Sequence, residues 1–501
     1  MRVVMVFFLA LISQISFANR VSVPGEWLVK ANGKYQLVKS QNPPRLSRGI
    51  SSVQPNYLYR SETLDPDLGK SWALKNFGQA VSDSGPGIPG KDISAEEAWR
   101  VYDGSYPVTI AVLDSGIDLN HPELRRMLWK NSREIPANGK DDDGNGYADD
   151  VNGWDFVNAK ATPQDDNNHG TFCSGIIGAE ADNGVGARGV ARGAQIMALK
   201  MLDNLGEGTT ASAIAAIEYA VKEGAKILNI SWGGSTYDPA LYEVFREAGK
   251  KGVLFVVAAG NQGSNNDGSQ RVNYPAAFRL PSILSVAAYD NRDEIARWSN
   301  YGKETVHLGA PGVDIFSTVV GGYKIGEGTS YAAPYVTGVA ALVKSANPEL
   351  SAAELKDRLL WTSEPLHYYD LQKILTGGRV NAFHALTNFR PPRLVPPTQW
   401  TSFADTYETP HPYLNQMKES FRFYRQGAKH VRVHFTKFDT ESCCDRLILK
   451  DSAGKQVAEY SGVLGDFWSA DALGDTIQLE FISDFVTTSF GIAIDQIQAS
   501  Y

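Results

Sequence analysis

The sequence predicts an α/β protein: a parallel sheet with helices on both faces, preceded by a short leader and followed by a small all-β domain. Three observations predict it. Between about residues 72 and 388, apolar strand-like runs alternate with helical stretches, the pattern of a parallel sheet buried on both sides. The run Arg390-Pro391-Pro392-Arg393-Leu394-Val395-Pro396-Pro397 then ends the alternation, because a residue before proline is driven out of the helical region. Beyond it the hydrophobic period becomes two, with Gly, Asp and Ser turns between runs. At 501 residues the chain is also too long for one compact core.

The elements follow in order. Met1-Arg2, the apolar run 3–12 and Ser16-Phe17-Ala18 have the charge, apolar core and small-residue exit of a secretory signal peptide over 1–18, so a secreted protein is expected. Those apolar residues would cover only about half of a ~30 Å hydrocarbon slab, and no membrane span is expected later in the chain. A leader over 19–65 carries strand-like stretches at 26–30 and 54–57 and is too small to be robust alone. It is basic whereas the remainder is acidic, which favours electrostatic docking of the leader on the body. The body, 66–390, contains strands at 108–113, 195–199, 226–230, 253–258 and 283–287. It also contains a helix over 210–222 with Ile214, Ile217 and Val221 on one stripe. Residues 391–398 read as a semi-rigid Pro-rich linker. Residues 399–501 read as a β domain with strands near 431–435, 446–450, 476–482 and 491–497.

Composition excludes several classes. With 43% apolar and 21% charged residues the chain is globular rather than disordered. A net charge of −8 without a dense basic block argues against nucleic acid, whose phosphates need cations. Three cysteines, Cys173, Cys443 and Cys444, are too few for a disulfide framework.

Chemistry concentrates in three clusters: Val112-Leu113-Asp114-Ser115-Gly116-Ile117-Asp118, Asn168-His169-Gly170-Thr171 and Gly328-Thr329-Ser330-Tyr331-Ala332-Ala333-Pro334. Asp114 follows a strand and Ser330 opens an apolar helix, and in an open parallel sheet functional groups converge at the carboxyl ends of strands. A serine hydroxyl needs an imidazole to take its proton, and the imidazole needs a carboxylate on its other nitrogen. Asp114, His169 and Ser330 supply these parts. Acyl transfer also needs donors for the developing oxyanion. Asn261, at the end of Ala258-Ala259-Gly260-Asn261, and the Ser330 N–H at a helix start are the candidates.

Those clusters, in the order Asp, His, Ser, resemble the subtilisin-like serine proteases, the subtilases. The resemblance extends to Ser231-Trp232-Gly233-Gly234 as a substrate-binding strand and start of the first specificity pocket, to Tyr274-Pro275-Ala276 as another wall, and to Ala310-Pro311-Gly312. It implies a three-layer subtilisin-like domain, a propeptide over 19–65 that inhibits and assists folding, and cleavage of protein or peptide substrates. Extended substrate would add a strand along 231–233, with one shallow pocket preferring large apolar side chains. Two residues depart from the family pattern: Tyr331 stands where most members have Met, and Phe172 where His is common. Cys173 is expected to be a buried free thiol beneath the active site.

Two acidic regions point to Ca2+. Asp141-Asp142-Asp143-Gly144-Asn145-Gly146-Tyr147-Ala148-Asp149-Asp150 places Asp141, Asp143 and Asn145 at alternate positions, with the Tyr147 carbonyl and Asp149 or Asp150 closing an oxygen shell. By resemblance, Glu123 and Asn183 match the family's strong calcium position, with a one-residue insertion before Asn183. The C-terminal segment, with Glu441-Ser442-Cys443-Cys444-Asp445 and Ser483-Asp484, is similar to a CUB-type β-sandwich. That resemblance implies calcium at Glu441, Asp445 and Asp484 and a protein ligand for this domain. The adjacent pair Cys443-Cys444 departs from the usual CUB disulfide spacing.

Overall fold

The computed structural model describes residues 22–501 except 41, 46–48, 58–64, 83, 84, 103, 105, 269, 270, 367–369, 371, 372 and 394. The signal-peptide segment 1–18 lies outside the described residues. The chain divides into two compact units, residues 1–63 and 64–501. The first holds an antiparallel sheet of β1 (Ser22–Ala31), β2 (Lys34–Lys39) and β3 (Ile50–Tyr57), with β1 in the middle. Asn32 and Gly33, both at positive φ, make the two-residue turn between β1 and β2, a conformation that Asn-Gly adopts readily. Strand β2 was not anticipated; its side chains are mostly exposed, so it lacks the alternating pattern that marks a half-buried strand.

The second unit begins with α1 (Ala95–Val101), followed by β4 (Val108–Asp114), β5 (Gly153–Asp155), α2 (His169–Gly178), β6 (Ala194–Lys200) and α3 (Thr210–Lys222). Next come β7 (Ile227–Ile230), α4 (Pro239–Lys250), β8 (Leu254–Ala258), β9 (Ile283–Tyr289) and β10 (Leu308–Pro311). The hairpin β11 (Ile315–Val319) and β12 (Gly322–Gly326) precedes α5 (Thr329–Ala346), α6 (Ala352–Trp361), β13 (Glu364–Pro365), β14 (Gly378–Arg379) and α7 (Ala382–Thr387). The main sheet has the order β13-β14-β10-β9-β8-β7-β4-β6-β5, parallel throughout except for the edge pair β13 and β14.

The strand alternation explains the three layers. Ile110 and Val112 of β4 join a core with residues of α1, α2, α5, α6 and α7. Ala111 and Leu113, pointing the other way, join a second core with residues of α3 and α4. Successive strand side chains face opposite sides, so a strand apolar at every position must be covered twice. Helix starts are written locally. Thr209 and Ser212 form a capping box on α3, Asp238 caps α4 with Pro239 at its first position, and Ser351 and Glu354 cap α6.

Residues 391–393 and 395–398 have no regular structure, and Arg393 pins this segment to α6 by donating to Leu360 O (2.7 Å) and Ser363 Oγ (3.2 Å). Beyond it two antiparallel sheets pack face to face. The first contains β15 (Thr401–Glu408), β23 (Gly491–Ser500), β17 (His430–Asp439), β20 (Phe467–Trp468) and β21 (Ala472–Leu473). The second has the order β16 (Lys418–Tyr424), β22 (Thr476–Ile482), β18 (Arg446–Lys450), β19 (Gln456–Tyr460). Their inward residues, among them Val431, Val433, Phe435, Leu447, Leu449, Ile477, Leu479 and Phe481, form one core, as the period-two pattern requires.

Candidate active site

Asp114 ends β4 and is fully buried, and His169 opens α2. The parallel sheet brings these two element ends together, and His169 Nδ1 donates to Asp114 Oδ1 at 2.8 Å. Burial disfavours the imidazolium, but the facing Asp114 carboxylate outweighs it, and the His169 pKa lies above its usual value. Ser330, the second residue of α5, donates from Oγ to the Ser231 carbonyl at 2.9 Å. Ser231 Oγ in turn donates to Ser330 O (2.8 Å). Among the described residues no hydrogen bond joins Ser330 Oγ to His169, so the hydroxyl must turn from Ser231 O to meet the imidazole. Such bonds are often unformed before substrate arrives.

Asn261 follows the end of β8. Its Oδ1 accepts from Thr329 N (2.9 Å) and Thr329 Oγ1 (2.7 Å). With both donors on the oxygen, the Nδ2 end is left for another acceptor. A Cβ placed on Gly328 would lie 3.6 Å from both Asn261 Nδ2 and Ser330 N, so two N–H groups border the same space beside the Ser330 side chain. Gly328 has φ +156, in the region glycine adopts at least cost.

The segment 231–234 runs along this site. Trp232 Nε1 donates to Leu113 O (2.9 Å), and Gly234 and Tyr274 exchange two backbone bonds of 2.8 Å each, joining the two expected pocket walls. Asn273, which sequence reasoning missed, lies between Gly233 and Gly260. A Cβ on Gly233 would meet its side-chain amide at 2.6 Å, and one on Gly260 would meet Asn273 Cγ at 3.0 Å. Tyr331 stacks on Phe172 with ring centroids 3.9 Å apart and lies 5.6 Å from the His169 ring. The two departures from the family pattern thus form one aromatic pair. Cys173 is a free, buried thiol, 3.4 Å from Ser330 O, and burial pushes its pKa up.

In the acidic loop, Glu134, Asp141 and Asp143 bring carboxylate oxygens within 4.8 Å of one another. Glu134 was not anticipated, since it lies outside the acidic run. Asp141 also accepts from Asn145 N (3.0 Å) and Gly146 N (2.8 Å), and Asn145 Oδ1 accepts from Tyr147 N (2.8 Å). Asp149 accepts from Asn138 N and Gly139 N, each at 2.9 Å. Asp150, fully buried, accepts from Asn131 Nδ2 (2.8 Å), Asn145 Nδ2 (2.7 Å) and Tyr219 Oη (2.5 Å). Burial, reinforced by Asp150, drives the Tyr219 hydroxyl pKa far up.

Glu123, also fully buried, accepts from Asn183 Nδ2 (2.9 Å), Tyr323 Oη (3.0 Å) and Ala187 N (3.1 Å). Burial raises its pKa to about 7. Asp65, another residue the motifs did not mark, accepts from Asp182 N (2.9 Å) and Asn183 N (3.1 Å). In the β domain, Glu441, Asp445 and Asp484 also bring oxygens within 4.8 Å of one another. Asp445 accepts from Tyr413 Oη and Asp484 N. Cys443 and Cys444 are joined to each other in a disulfide.

A family model described as the subtilase family matches residues 106–389. The thermophilic serine proteinase of Bacillus sp. (strain AK1) is 32% identical over 378 residues, covering 73% of this chain and 81% of that protein. Thermitase of Thermoactinomyces vulgaris is 35% identical over 295 residues, 59% of this chain and 93% of thermitase. Subtilisin E of Bacillus subtilis (strain 168) is 38% identical over 260 residues, 52% and 60% of the two chains.

Proposed function

The chain belongs to the subtilase family and is a subtilisin-like serine endopeptidase, and from that premise we propose that it cleaves peptide bonds through Asp114, His169 and Ser330 as a secreted, self-processing, calcium-stabilised zymogen. The observation that most supports this reading is the 2.8 Å bond from His169 Nδ1 to Asp114 Oδ1. It fixes the tautomer, leaving Nε2 free to accept a proton. Ser330 Oγ attacks the peptide carbonyl carbon as its proton passes to His169 Nε2. The carbon–nitrogen bond then breaks, and the proton leaves with the amine. Water, deprotonated by the same imidazole, hydrolyses the acyl-enzyme. Asn261 Nδ2 and Ser330 N–H hold the oxyanion, where each such donor typically matters by about 100- to 1,000-fold, a size carried over from subtilisin.

The pH dependence has a definite sign. His169 must be neutral to accept the Ser330 proton, and its pKa is raised. Labelling of Ser330 by a fluorophosphonate should therefore rise with pH through a limb above about 6.5, the ordinary histidine value. A protein whose Ser330 stays unlabelled at every pH is not this enzyme.

Substrate is proposed to lie extended along Ser231, Trp232 and Gly233, its P1 side chain entering between the walls carrying Gly234 and Tyr274. Asn273 there is neutral, and apolar side chains are proposed as the broad preference. A peptide library should show cleavage after large apolar residues; cleavage confined to Arg-Arg pairs would overturn this specificity.

Calcium is proposed as a structural ion, adding stability and no chemistry. Glu134, Asp141 and Asp143, with Asn145 and the Tyr147 carbonyl, offer the all-oxygen surroundings a hard cation takes. All these carboxylates already accept donors, Glu134 from Asp142 N (2.8 Å) and Asp149 N (2.9 Å) and Asp141 from Asn145 N and Gly146 N, so an ion would share their oxygens, and the fully buried Asp150 serves as the frame. At Glu123 and Asn183 an ion would compete with the donors on Glu123. Glu441, Asp445 and Asp484 form a third proposed position, in a CUB-like domain that would bind a protein ligand. Secretion and the propeptide rest on the apolar run at 3–12 and on the separate compact unit 1–63.

A further inference from the structure

A second buried carboxylate, Asp165, lies beside the Asp114–His169 pair and has no role in the chemistry above. It is 3% exposed. Its Oδ1 accepts from Ser115 Oγ (2.8 Å), Asn167 N (2.9 Å) and Asn168 N (3.0 Å), and its Oδ2 from Thr171 N (3.0 Å) and Thr171 Oγ1. The donors come from two elements. Ser115 directly follows Asp114, and its Oγ also accepts from Gly170 N (3.0 Å). Asn168 and Thr171 flank His169 at the start of α2. The end of β4 and the first turn of α2 are therefore tied to one carboxylate.

The tie has a purpose at Asn168. This residue has φ +85, a left-handed conformation that costs an L-residue free energy and persists only where its surroundings enforce it. Asp165 Oδ1 holds its N–H, and its own Oδ1 accepts from Val320 N (3.0 Å). Releasing Asn168 would let the first turn of α2, and with it the imidazole, drift from Asp114.

We propose that Asp165 is a positioning residue that holds His169 Nδ1 on Asp114 Oδ1 and adds a second fixed negative charge near the imidazole. The proposal rests on the catalytic reading of Asp114, His169 and Ser330 given above. The titratable groups around His169 are few. Asp114 faces it from β4, and Asp165 lies in the preceding loop, bonded to residues on either side of it. The Cys173 thiol on α2 and the Tyr331 phenol on α5 both have raised pKa values and stay neutral. Lys200 of β6 is tied to Ser115 O (2.8 Å), Leu202 O (2.9 Å) and Asp166 Oδ1 (2.6 Å). After burial, which lowers the imidazole pKa, and Asp114, which raises it, Asp165 acts in the same direction as Asp114.

The test uses Asp165→Asn and Ser115→Ala in the full chain, with active sites counted by fluorophosphonate titration so that misfolded protein is divided out. Asp165→Asn should lower kcat per titrated site on the order of 10- to 100-fold, the range expected for a misplaced catalytic group, with KM little changed. Because a negative charge is lost, the acid limb of kcat/KM should move to lower pH. Ser115→Ala keeps the charge and loosens the tie, so kcat should fall while the limb stays in place. Wild-type kcat per titrated site with an unmoved limb in Asp165→Asn would overturn the proposal. If that variant yields no folded enzyme, an unchanged kcat in Ser115→Ala would overturn it instead. Wild-type protein that fails to titrate at all would refute the catalytic reading, and not this one specifically.

Discussion

Ser330→Ala should keep its leader attached and hydrolyse peptides on the order of a millionfold more slowly than the wild type, a size carried over from subtilisin. In the proposed mechanism this hydroxyl forms the acyl bond. Its loss leaves the Asp114–His169 bond with nothing to activate, although Asn261 and the Ser330 N–H remain. The fold should survive, because among the described residues Oγ makes a single hydrogen bond, to Ser231 O. N-terminal sequencing of both proteins reads the two consequences together. A mutant that matures normally would show that another protease removes the leader, and a mutant that still hydrolyses peptides would remove Ser330 from the mechanism.

The second large effect concerns stability. Asp150→Ala strips a fully buried acceptor from three donors, Asn131 Nδ2, Asn145 Nδ2 and Tyr219 Oη. Removing the shared acceptor should cost about 1–3 kcal/mol for a buried donor left unsatisfied, because the donors left behind cannot recover water. Tyr219 lies on α3, so the loss also removes one tie between the acidic loop and that helix, leaving Lys222 Nζ on Asn145 O (3.0 Å). This loss should appear in chelator as well as in calcium. The metal contributes separately: calcium at about 100 times its Kd adds about 2.7 kcal/mol, which Asp141→Asn with Asp143→Asn should abolish. Thermal melts of the three proteins with and without chelator separate the contributions. Identical wild-type curves in calcium and chelator would retire the bound ion, and a drop below about 1 kcal/mol for Asp150→Ala would retire the network.

How much of this was legible depends on how local each signal is. The central strands of the sheet were legible because burial on both faces turns each into an uninterrupted apolar run, and α3 was legible because its apolar stripe, Ile214, Ile217 and Val221, sits within one short segment. Strand β2 escaped because its surface is exposed on most positions. Glu134, Asp65, Asn273 and Asp165 escaped for a different reason. Each is an ordinary polar residue in sequence, and becomes notable only through partners that the fold delivers, such as Gly233 and Gly260 for Asn273.

By itself the sequence determined the kind of chemistry present, a carboxylate, an imidazole and a hydroxyl in motifs of known order, together with the alternating pattern that demands a covered parallel sheet. Only the tertiary structure decided which oxygens are already committed. It committed Asp150 to three donors, engaged Glu123 on both oxygens, turned Ser330 Oγ toward Ser231 O and set Asp165 across β4 and α2. The physical reason is that residue type and local periodicity are properties of short segments. A hydrogen-bond partner is set by how distant segments pack, and the packing of the whole core fixes those distances.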